Sequence, residues 1–531
     1  RVKGKGRNRG RSGIDKETFI LLERIGLIDI GSNTIRLVIF EIDEHFTMFQ
    51  VQNIKTPARL FQYLDKKKKM SQAGIDVLIK VLKSFKSVAD QYQVSTLMPV
   101  ATAAIRQSTN RDDIIAQVRK KTGIEMLLLP EEKEAYYGNY AVLHTTQCPS
   151  GITIDIGGGS TEVTYYENKE LQQYHSFPFG VVTLKQMFFD GKAHNDPKAI
   201  KKMQEFVKEQ FKSIKWLSKK QVPIVAMGGS ARSIANVHQR QVNYRLAGVH
   251  GYRMYRNDLQ KIVDLFQSLS IAQLQNLDGL SRDRTDLIIP ANVVFNTLFD
   301  EVKAPVFLFS NKGLREGIVM EFLNNKYENK AFSVFNIAAQ TVSRLAASYH
   351  TLAHVAQQRV KLVDMLYEEL CRLGIFDKNP EMEKLLHFGS YLYYLGQFVE
   401  TGASSQHTFY IISNSDLDGI SHKERVSIAL LARFKNRSLV NQYLLGFTDW
   451  FTVTQIDQLQ SFGGIIKFAD AINDSHMEVI QDIKINKTKN GHDLVLYYKG
   501  DILAEEYRAE RQRKHIERLL SGKLNIIFTK Y

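Results

Sequence analysis

Ile28-Asp29-Ile30-Gly31-Ser32-Asn33-Thr34 and Ile154-Asp155-Ile156-Gly157-Gly158-Gly159-Ser160 are two versions of one pattern. In each, an apolar run ends in Ile-Asp-Ile, a tight stretch of glycine and small polar residues follows, and a second apolar run resumes. The apolar stretches extend over Ile25–Ile42 and Ile152–Tyr166. Such runs, broken by Gly, Ser and Asn, read as strand, turn, strand. The second aspartate lies 126 residues after the first. An internal repeat of this kind predicts two lobes of related topology facing one cleft.

Outward from the first copy, segments alternate as an α/β layer requires. Ile75, Leu78, Ile79, Leu82 and Phe85 recur at helical spacing. Leu97–Val100 and Ile124–Leu129 read as strands, Asp112–Lys120 and Glu131–Val142 as helices, and the tetralysine Lys66–Lys69 as part of a loop. Around the second copy a helix is expected over Lys198–Trp216, and a buried strand over Ile224–Met227 that runs into Gly228-Gly229-Ser230. Past Asn325 helical segments dominate: Val334–His350, Leu352–Leu373 with Gly374 as its stop, Glu381–Leu395 and Lys423–Phe434. Strands return near Leu494–Tyr498, and Glu505–Leu520 reads as a strongly charged helix. The expected division is a disordered basic tail (1–18), a first lobe (19–142), a second lobe (143–325), a helical domain (326–462) and a small basic C-terminal region (463–531).

Composition bounds the function. Apolar residues are 44% and charged residues 24% of the 531, an ordinary globular balance. Two cysteines, Cys148 and Cys371, exclude a disulfide framework and a thiolate-rich metal site, and fit a reducing compartment. No apolar run is long enough to span a membrane, and the basic opening residues lack the apolar segment of a signal peptide. The net charge of +15 suits a polyanionic partner.

The two turns suggest which polyanion. Glycine reaches backbone conformations closed to other residues and lets amides approach a ligand closely. Successive amides aimed inward form an anion nest. Two facing nests, with Ser32, Asn33, Thr34, Ser160 and Thr161 as additional donors, would grip neighbouring phosphoryl groups. Gly31, Gly157, Gly158, Gly159, Gly228 and Gly229 are the candidate backbone contacts. Asp29 and Asp155 beside them do not bind phosphate directly; carboxylates there hold Mg²⁺ or orient water. The sequence has no Gly-x-x-x-x-Gly-Lys-Ser/Thr loop, and Glu162 stands where Gly-x-Gly-x-x-Gly would need its last glycine.

These stretches, together with Ala101-Thr102-Ala103-Ala104-Ile105-Arg106, Glu134-Ala135, Pro178-Phe179-Gly180-Val181 and Leu314-Arg315-Glu316-Gly317, resemble the exopolyphosphatase and guanosine pentaphosphate phosphohydrolase family. That family lies within the actin, heat-shock chaperone and sugar-kinase superfamily. The resemblance implies two actin-like (ribonuclease H-like) lobes, a helical HD-like domain and a small C-terminal α+β region. It implies a cytoplasmic, homodimeric, Mg²⁺-dependent hydrolase that removes terminal phosphate from inorganic polyphosphate. Guanosine pentaphosphate hydrolysis and non-catalytic polyphosphate or nucleotide binding are the alternatives. By the same resemblance Glu134 is the base that activates water, with Glu132 as runner-up because Lys133 interrupts the family's acidic pair. Asp29, Asp155 and Glu162 are the metal or water ligands. Arg36 and Arg106 are phosphate contacts, with Lys185, Arg232 and Arg282 as weaker candidates. In the HD-like domain His354 and His407 match expected histidines. Tyr393-Tyr394 replaces the His-Asp pair and Arg433-Phe434-Lys435 replaces Arg-Tyr-His, so a degenerate metal site is expected there. Arg511, Arg513, Lys514 and Arg518 offer a polymer track or a solvated face.

Overall fold

The computed structural model describes residues 21–531; the basic tail expected over residues 1–18 lies outside them. β1 (Leu21–Ile30) and β2 (Ile35–Asp43) pair antiparallel, and β3 (Met48–Thr56) continues the meander. β4 (Thr96–Ala101) and β5 (Leu127–Leu128) add in parallel on the other side of β1, giving the order β3-β2-β1-β4-β5. Both faces of the sheet are covered, which is why its central strands read as nearly unbroken apolar runs. Ile28, Ile30, Leu37 and Ile39 pack on Leu78, Leu82 and Phe85 of the helix Gln72–Gln91. Ile25, Leu27, Val38 and Phe40 pack on Ile318, Val319 and Leu323 of the helix Leu314–Lys326.

The second sheet repeats this plan. β6 (Gly151–Ile156), β7 (Thr161–Glu167) and β8 (Glu170–Phe177) form an antiparallel meander. β9 (Ile224–Met227) pairs in parallel with β6; beyond it come a short edge strand, β10 (Arg253–Met254), and β11 (Phe307–Phe309), the latter parallel to β9. The order β10-β11-β9-β6-β7-β8, read from β8, is the first sheet's order with one strand added. The repeat in sequence is thus a repeat in topology, as two actin-like lobes require.

The lobes exchange helices. The helix Glu131–Thr145 leaves the first lobe and packs against β6, β7 and β8, while Leu314–Lys326 leaves the second and packs on β1. A division at residue 142 therefore cuts a helix that already belongs, by packing, to the second sheet. The two helices cross closely. A Cβ on Gly317 would stand 1.9 Å from the Tyr137 carbonyl oxygen, so only glycine fits there. Several expected elements are shorter: only Leu127–Leu128 of Ile124–Leu129 pairs as a strand, the helix expected to Trp216 ends at Lys212, Val334–His350 narrows to Ile337–Ser348, and Glu381–Leu395 becomes Pro380–Tyr391. The strand is short because it lies at the edge of its sheet, where β4 is its one partner.

The helices Ile337–Ser348, Ala353–Arg372, Pro380–Tyr391, Ser404–Asn414, His422–Ala432, Arg437–Leu444 and Val453–Ala471 form the helical domain. Gly374 follows the C-cap Leu373 at φ 75°, the left-handed stop expected of it. β12 (Ile480–Thr488), β13 (Gly491–Tyr498) and β14 (Lys523–Lys530) make a small sheet, with β14 parallel to β13. Val453–Ala471 runs straight through residue 462, and one apolar core joins Leu366, Ile428 and Phe468 of the helices to Ile485, Leu496 and Leu524 of the sheet. The helical domain and the C-terminal region are packed as one body. The charged C-terminal helix is split into Leu503–Gln512 and Lys514–Glu517, with Ala509 and Ile516 turned into that core. Among the described residues no helix is long and apolar enough to cross a membrane.

The helix crossing yields a test. Gly317→Val forces apart two backbones that no side-chain rotation can separate, and should cost at least about 1–3 kcal/mol. Gly402→Ala, whose new methyl meets only the end of Glu400 at 3.6 Å, should be near neutral. Urea denaturation of the two variants checks this; equal midpoints would mean that the crossing is compliant.

Candidate active site

The turns after β1 and β6 are built alike. Gly31 N–H donates to Thr34 O at 3.0 Å, and Gly157 N–H to Ser160 O at 2.9 Å. The carbonyls of each turn are tied backward, away from the cleft. Ser32 O and Asn33 O accept from Phe61 and Arg59, and Gly157 O and Gly158 O accept from Val181 and Val182 at the start of the helix Val181–Phe189. Among the described residues, the amides of Ser32, Asn33, Gly158 and Gly159 have no acceptor and are left for an anion. The turns face each other: a Cβ on Gly158 would stand 3.2 Å from Ser32 Cβ, and one on Gly159 would stand 3.7 Å from Ser32 Oγ. Thr34 Oγ1 is buried beside them without a partner.

Gly228 and Gly229 open the helix Gly228–Gln241 at the end of β9, on the cleft's other wall. Gly228 has φ 87°, and a Cβ there would lie 2.6 Å from Asp155 Oδ1; one on Gly229 would meet Arg284 Nη2 at 2.5 Å. Glycine here admits a carboxylate and a guanidinium right against the backbone. Asp29, Asp155, Glu134 and Glu162 line the same cleft as both turns. Strand register explains two of the placements. Asp29 pairs with Arg36 across β1 and β2, and Asp155 pairs with Glu162 across β6 and β7. The repeat thus sets a cation opposite the first aspartate and an acid opposite the second.

Glu134 reaches the cleft from the first turn of the helix Glu131–Thr145. Arg106 Nη1 donates to it at 2.8 Å and to Leu129 O at 2.9 Å. Arg106 therefore holds Glu134 instead of lining the cavity, although its Nε and Nη2 are buried without hydrogen-bond partners. Glu132 is exposed on the same helix and does not line the cleft. Lys133 does not reach it either: its ammonium lies over the Tyr136 ring at 4.6 Å. Lys185 is paired with Asp286 at 2.5 Å, and Arg282 is also outside the lining. Arg232 is in it. Lys55, Arg284, Lys312 and Arg315 line the cleft as well and were not singled out as phosphate contacts. Arg315 Nε stands 3.9 Å from Asp29 Oδ2.

The acids crowd one another in a desolvated space. Burial, then the charges of Asp155 and Asp29, push Glu134 up to about 7 against the downward pull of Arg106. Burial and Asp29 push Asp155 to about 6. Glu162 is driven well above the carboxylate range by burial and Glu134. Burial also raises Asp29, although Arg315 and Arg36 oppose it. The cations are strained in turn: burial, Arg315 and Arg232 lower Arg36 to about 10. Among the described residues no group of three or more His, Cys, Asp or Glu side chains is arranged to hold a metal ion. Glu162, expected to complete such a set, accepts a hydrogen bond from Ser176 Oγ at 3.0 Å. Asp29 and Asp155 remain as a pair of hard oxygen donors whose mutual repulsion a cation would relieve. That suits Mg²⁺, which keeps waters and takes one or two carboxylates plus substrate phosphates.

The exopolyphosphatase 1 of Mycobacterium tuberculosis is 25% identical over 346 residues, 61% of this chain and 98% of that protein. A bifunctional 3-dehydroquinate synthase/phosphatase of Fusobacterium nucleatum is 26% identical over 310 residues, 56% of this chain; the chain spans only 46% of that relative's length. The fold matches a crystal structure of an exopolyphosphatase from Cytophaga hutchinsonii (TM-score 0.53, 19% identity, 57% of this chain and 98% of that one). It also matches the Aquifex aeolicus member of the Ppx/GppA protein family (TM-score 0.51, 23% identity, 57% and 99%). The sequence profile of the Ppx/GppA phosphatase family matches residues 38–326, and that of the family's domain III matches residues 337–511. With two facing glycine turns beside an acid-lined cleft and both family profiles matched, the chain belongs to the Ppx/GppA phosphatase family.

Proposed function

We propose that this phosphatase-family protein is an exopolyphosphatase that cleaves terminal phosphate from linear inorganic polyphosphate. The observation that carries the reading is Glu134, held by Arg106 at the edge of a cleft whose opposite turns both present unpaired amides. In this reading the turns bind adjacent phosphoryl groups, and Thr34 Oγ1 and Arg232 add donors. Glu134 takes a proton from water attacking the terminal phosphorus in line. A carboxylate with a pKa near 7 is well matched to that task at neutral pH. The amides stabilise charge on the equatorial oxygens as the bridging bond breaks. Asp29 and Asp155 would hold Mg²⁺, which when bound would supply positive charge at the phosphate oxygens and so make the shortened chain a better leaving group. Glu162 positions the second turn from behind. The free cysteines Cys148 and Cys371 fit a cytoplasmic site of action.

Guanosine pentaphosphate hydrolysis is the second reading. A wider cavity of 820 Å³ adjoins the cleft through Arg36, Arg232 and Arg315 and carries Phe40, Phe46 and Met48 on its walls, room for a nucleoside behind its phosphates. Phosphate release from long-chain polyphosphate and from guanosine pentaphosphate, measured side by side with Mg²⁺ and with chelator, separates the two; release from neither sinks both.

Three outcomes follow from the placement of charge. Glu134→Gln should lower turnover by roughly 10²-fold or more while polyphosphate binding is nearly kept, and Glu132→Gln should be close to wild type; the reverse pattern moves the base to Glu132. The kcat/KM profile should rise with pH through about 7 as Glu134 loses its proton. Arg106 lowers that pKa, so Arg106→Gln should displace the acid limb to higher pH, and an unmoved limb would separate Glu134 from the limiting step. Finally, Asp155 is protonated below about 6 and repels Asp29 above it. The Mg²⁺-induced rise in Tm should therefore be larger at pH 8 than at pH 5, and a pH-independent rise would place the ion elsewhere.

A further inference from the structure

A cavity of 590 Å³ in the helical domain shares no lining residue with the phosphate cleft. One wall is aromatic. His350 stacks on Phe398 with ring centroids 5.1 Å apart and planes 18° apart, Tyr349 meets Phe398 edge-on at 5.9 Å, and Tyr394 stands beside Tyr393 at 4.6 Å. Phe398 is 55% exposed, a large apolar ring left open at the cavity. The lining also carries cations. Arg359 is buried, donating to Asp470 at 2.8 Å and to Ser390 O at 3.1 Å, with its guanidinium 5.4 Å from the centre of the Tyr393 ring; Lys467 donates to Lys435 O at 2.6 Å, and Arg508 Nε pairs with Asp474 at 3.1 Å, which leaves further N–H groups on both. Asp470 is the one carboxylate in the lining, and Arg359 already neutralises it. Apart from burial, the groups that depress Lys467 are all cations: Lys514, Arg508 and Lys435. His350, Tyr394 and His476 all line the cavity, with φ of 52°, 55° and 57°.

We infer that this cavity is a second ligand site that takes a mononucleotide, the base against Phe398 and Tyr394 and the phosphate toward Lys467 and Arg508. A lining of flat rings and cations matches a molecule that carries both a planar base and a phosphate, and the volume lies in the range of small-molecule sites. Tyr393-Tyr394, which stands where a His-Asp metal pair is expected, supplies part of this wall. The assignment is independent of the chemistry proposed for the cleft.

Isothermal titration of the full chain with AMP tests it, with ribose 5-phosphate and inorganic phosphate as parallel titrants. AMP should bind more tightly than either. Phe398→Ala and Lys467→Gln should each weaken AMP roughly ten-fold, the value of one base-stacking contact. Phe398→Trp should restore the affinity, and Arg232→Gln in the cleft should leave it unchanged. Phe398 is largely exposed, so an unaltered Tm is expected and shows that a loss is not unfolding. No binding at millimolar AMP, equal binding of ribose 5-phosphate, or loss in Arg232→Gln with retention in Phe398→Ala overturns the inference.

Discussion

The contact on which the architecture depends is the crossing of Glu131–Thr145 over Leu314–Lys326, where Gly317 lies against the Tyr137 carbonyl. Each helix ends one lobe in sequence and packs on the sheet of the other. The lobes are therefore clasped rather than merely adjacent. Because Glu134 sits on one of these helices and Arg315 on the other, the separation between helices also sets where the carboxylate and the guanidinium stand relative to the turns. Chain connectivity, lobe spacing and site geometry are one problem with one solution.

Within that frame the cleft collects charge at a cost. Five carboxylates, those of Asp29, Glu134, Asp155, Glu162 and Glu316, are drawn into a space lined by Lys55, Arg36, Arg232, Arg284, Lys312 and Arg315. Neither sign is comfortable: the acids are raised and Arg36 is lowered because both are desolvated. An arrangement that is poorly satisfied alone becomes satisfied when an anion meets the cations and amides and a cation meets the acids. Stored electrostatic mismatch of this kind is a signature of a site adapted to something other than its own folding.

Much of this was legible in the sequence, for definite reasons. Ile-Asp-Ile-Gly occurs twice because each lobe needs an apolar central strand that ends abruptly in a turn, and the strands are apolar on both faces because both are covered. Glu134 could not be separated from Glu132 by helix phase: at helical spacing Glu134 lines up with the buried Gly138, Ala141 and Thr145, and Glu132 with the buried Ala135, Asn139 and Val142. The helix exchange was not legible. Gly317 reads as an ordinary glycine in Leu-Arg-Glu-Gly until the distant Tyr137 carbonyl is placed against it. Lys55, Arg284 and Lys312 are lone cations outside any motif, and only the closure of the two lobes brings them together. Arg106 was expected on phosphate and instead grips Glu134, because its short helix Ala103–Arg106 ends beside Leu129. One helix runs across residue 462, with Phe462, Ile465 and Ile466 all turned into the same apolar core.

The parallel pairing of β14 with β13 has a consequence for the order of events during synthesis. A parallel partner cannot arrive by a tight hairpin; here β13 must wait for the Leu503–Gln512 and Lys514–Glu517 helices and then for β14. Leu520 and Leu524 belong to the same apolar core as Val342 and Leu366. While the ribosome is still making residues 500–520, that core has a gap and its apolar walls face water. The two lobes, whose elements are all complete by Lys326, can close long before. The nascent protein thus passes through an interval with a finished cleft and an unfinished helical body, in which a holding chaperone has most to protect.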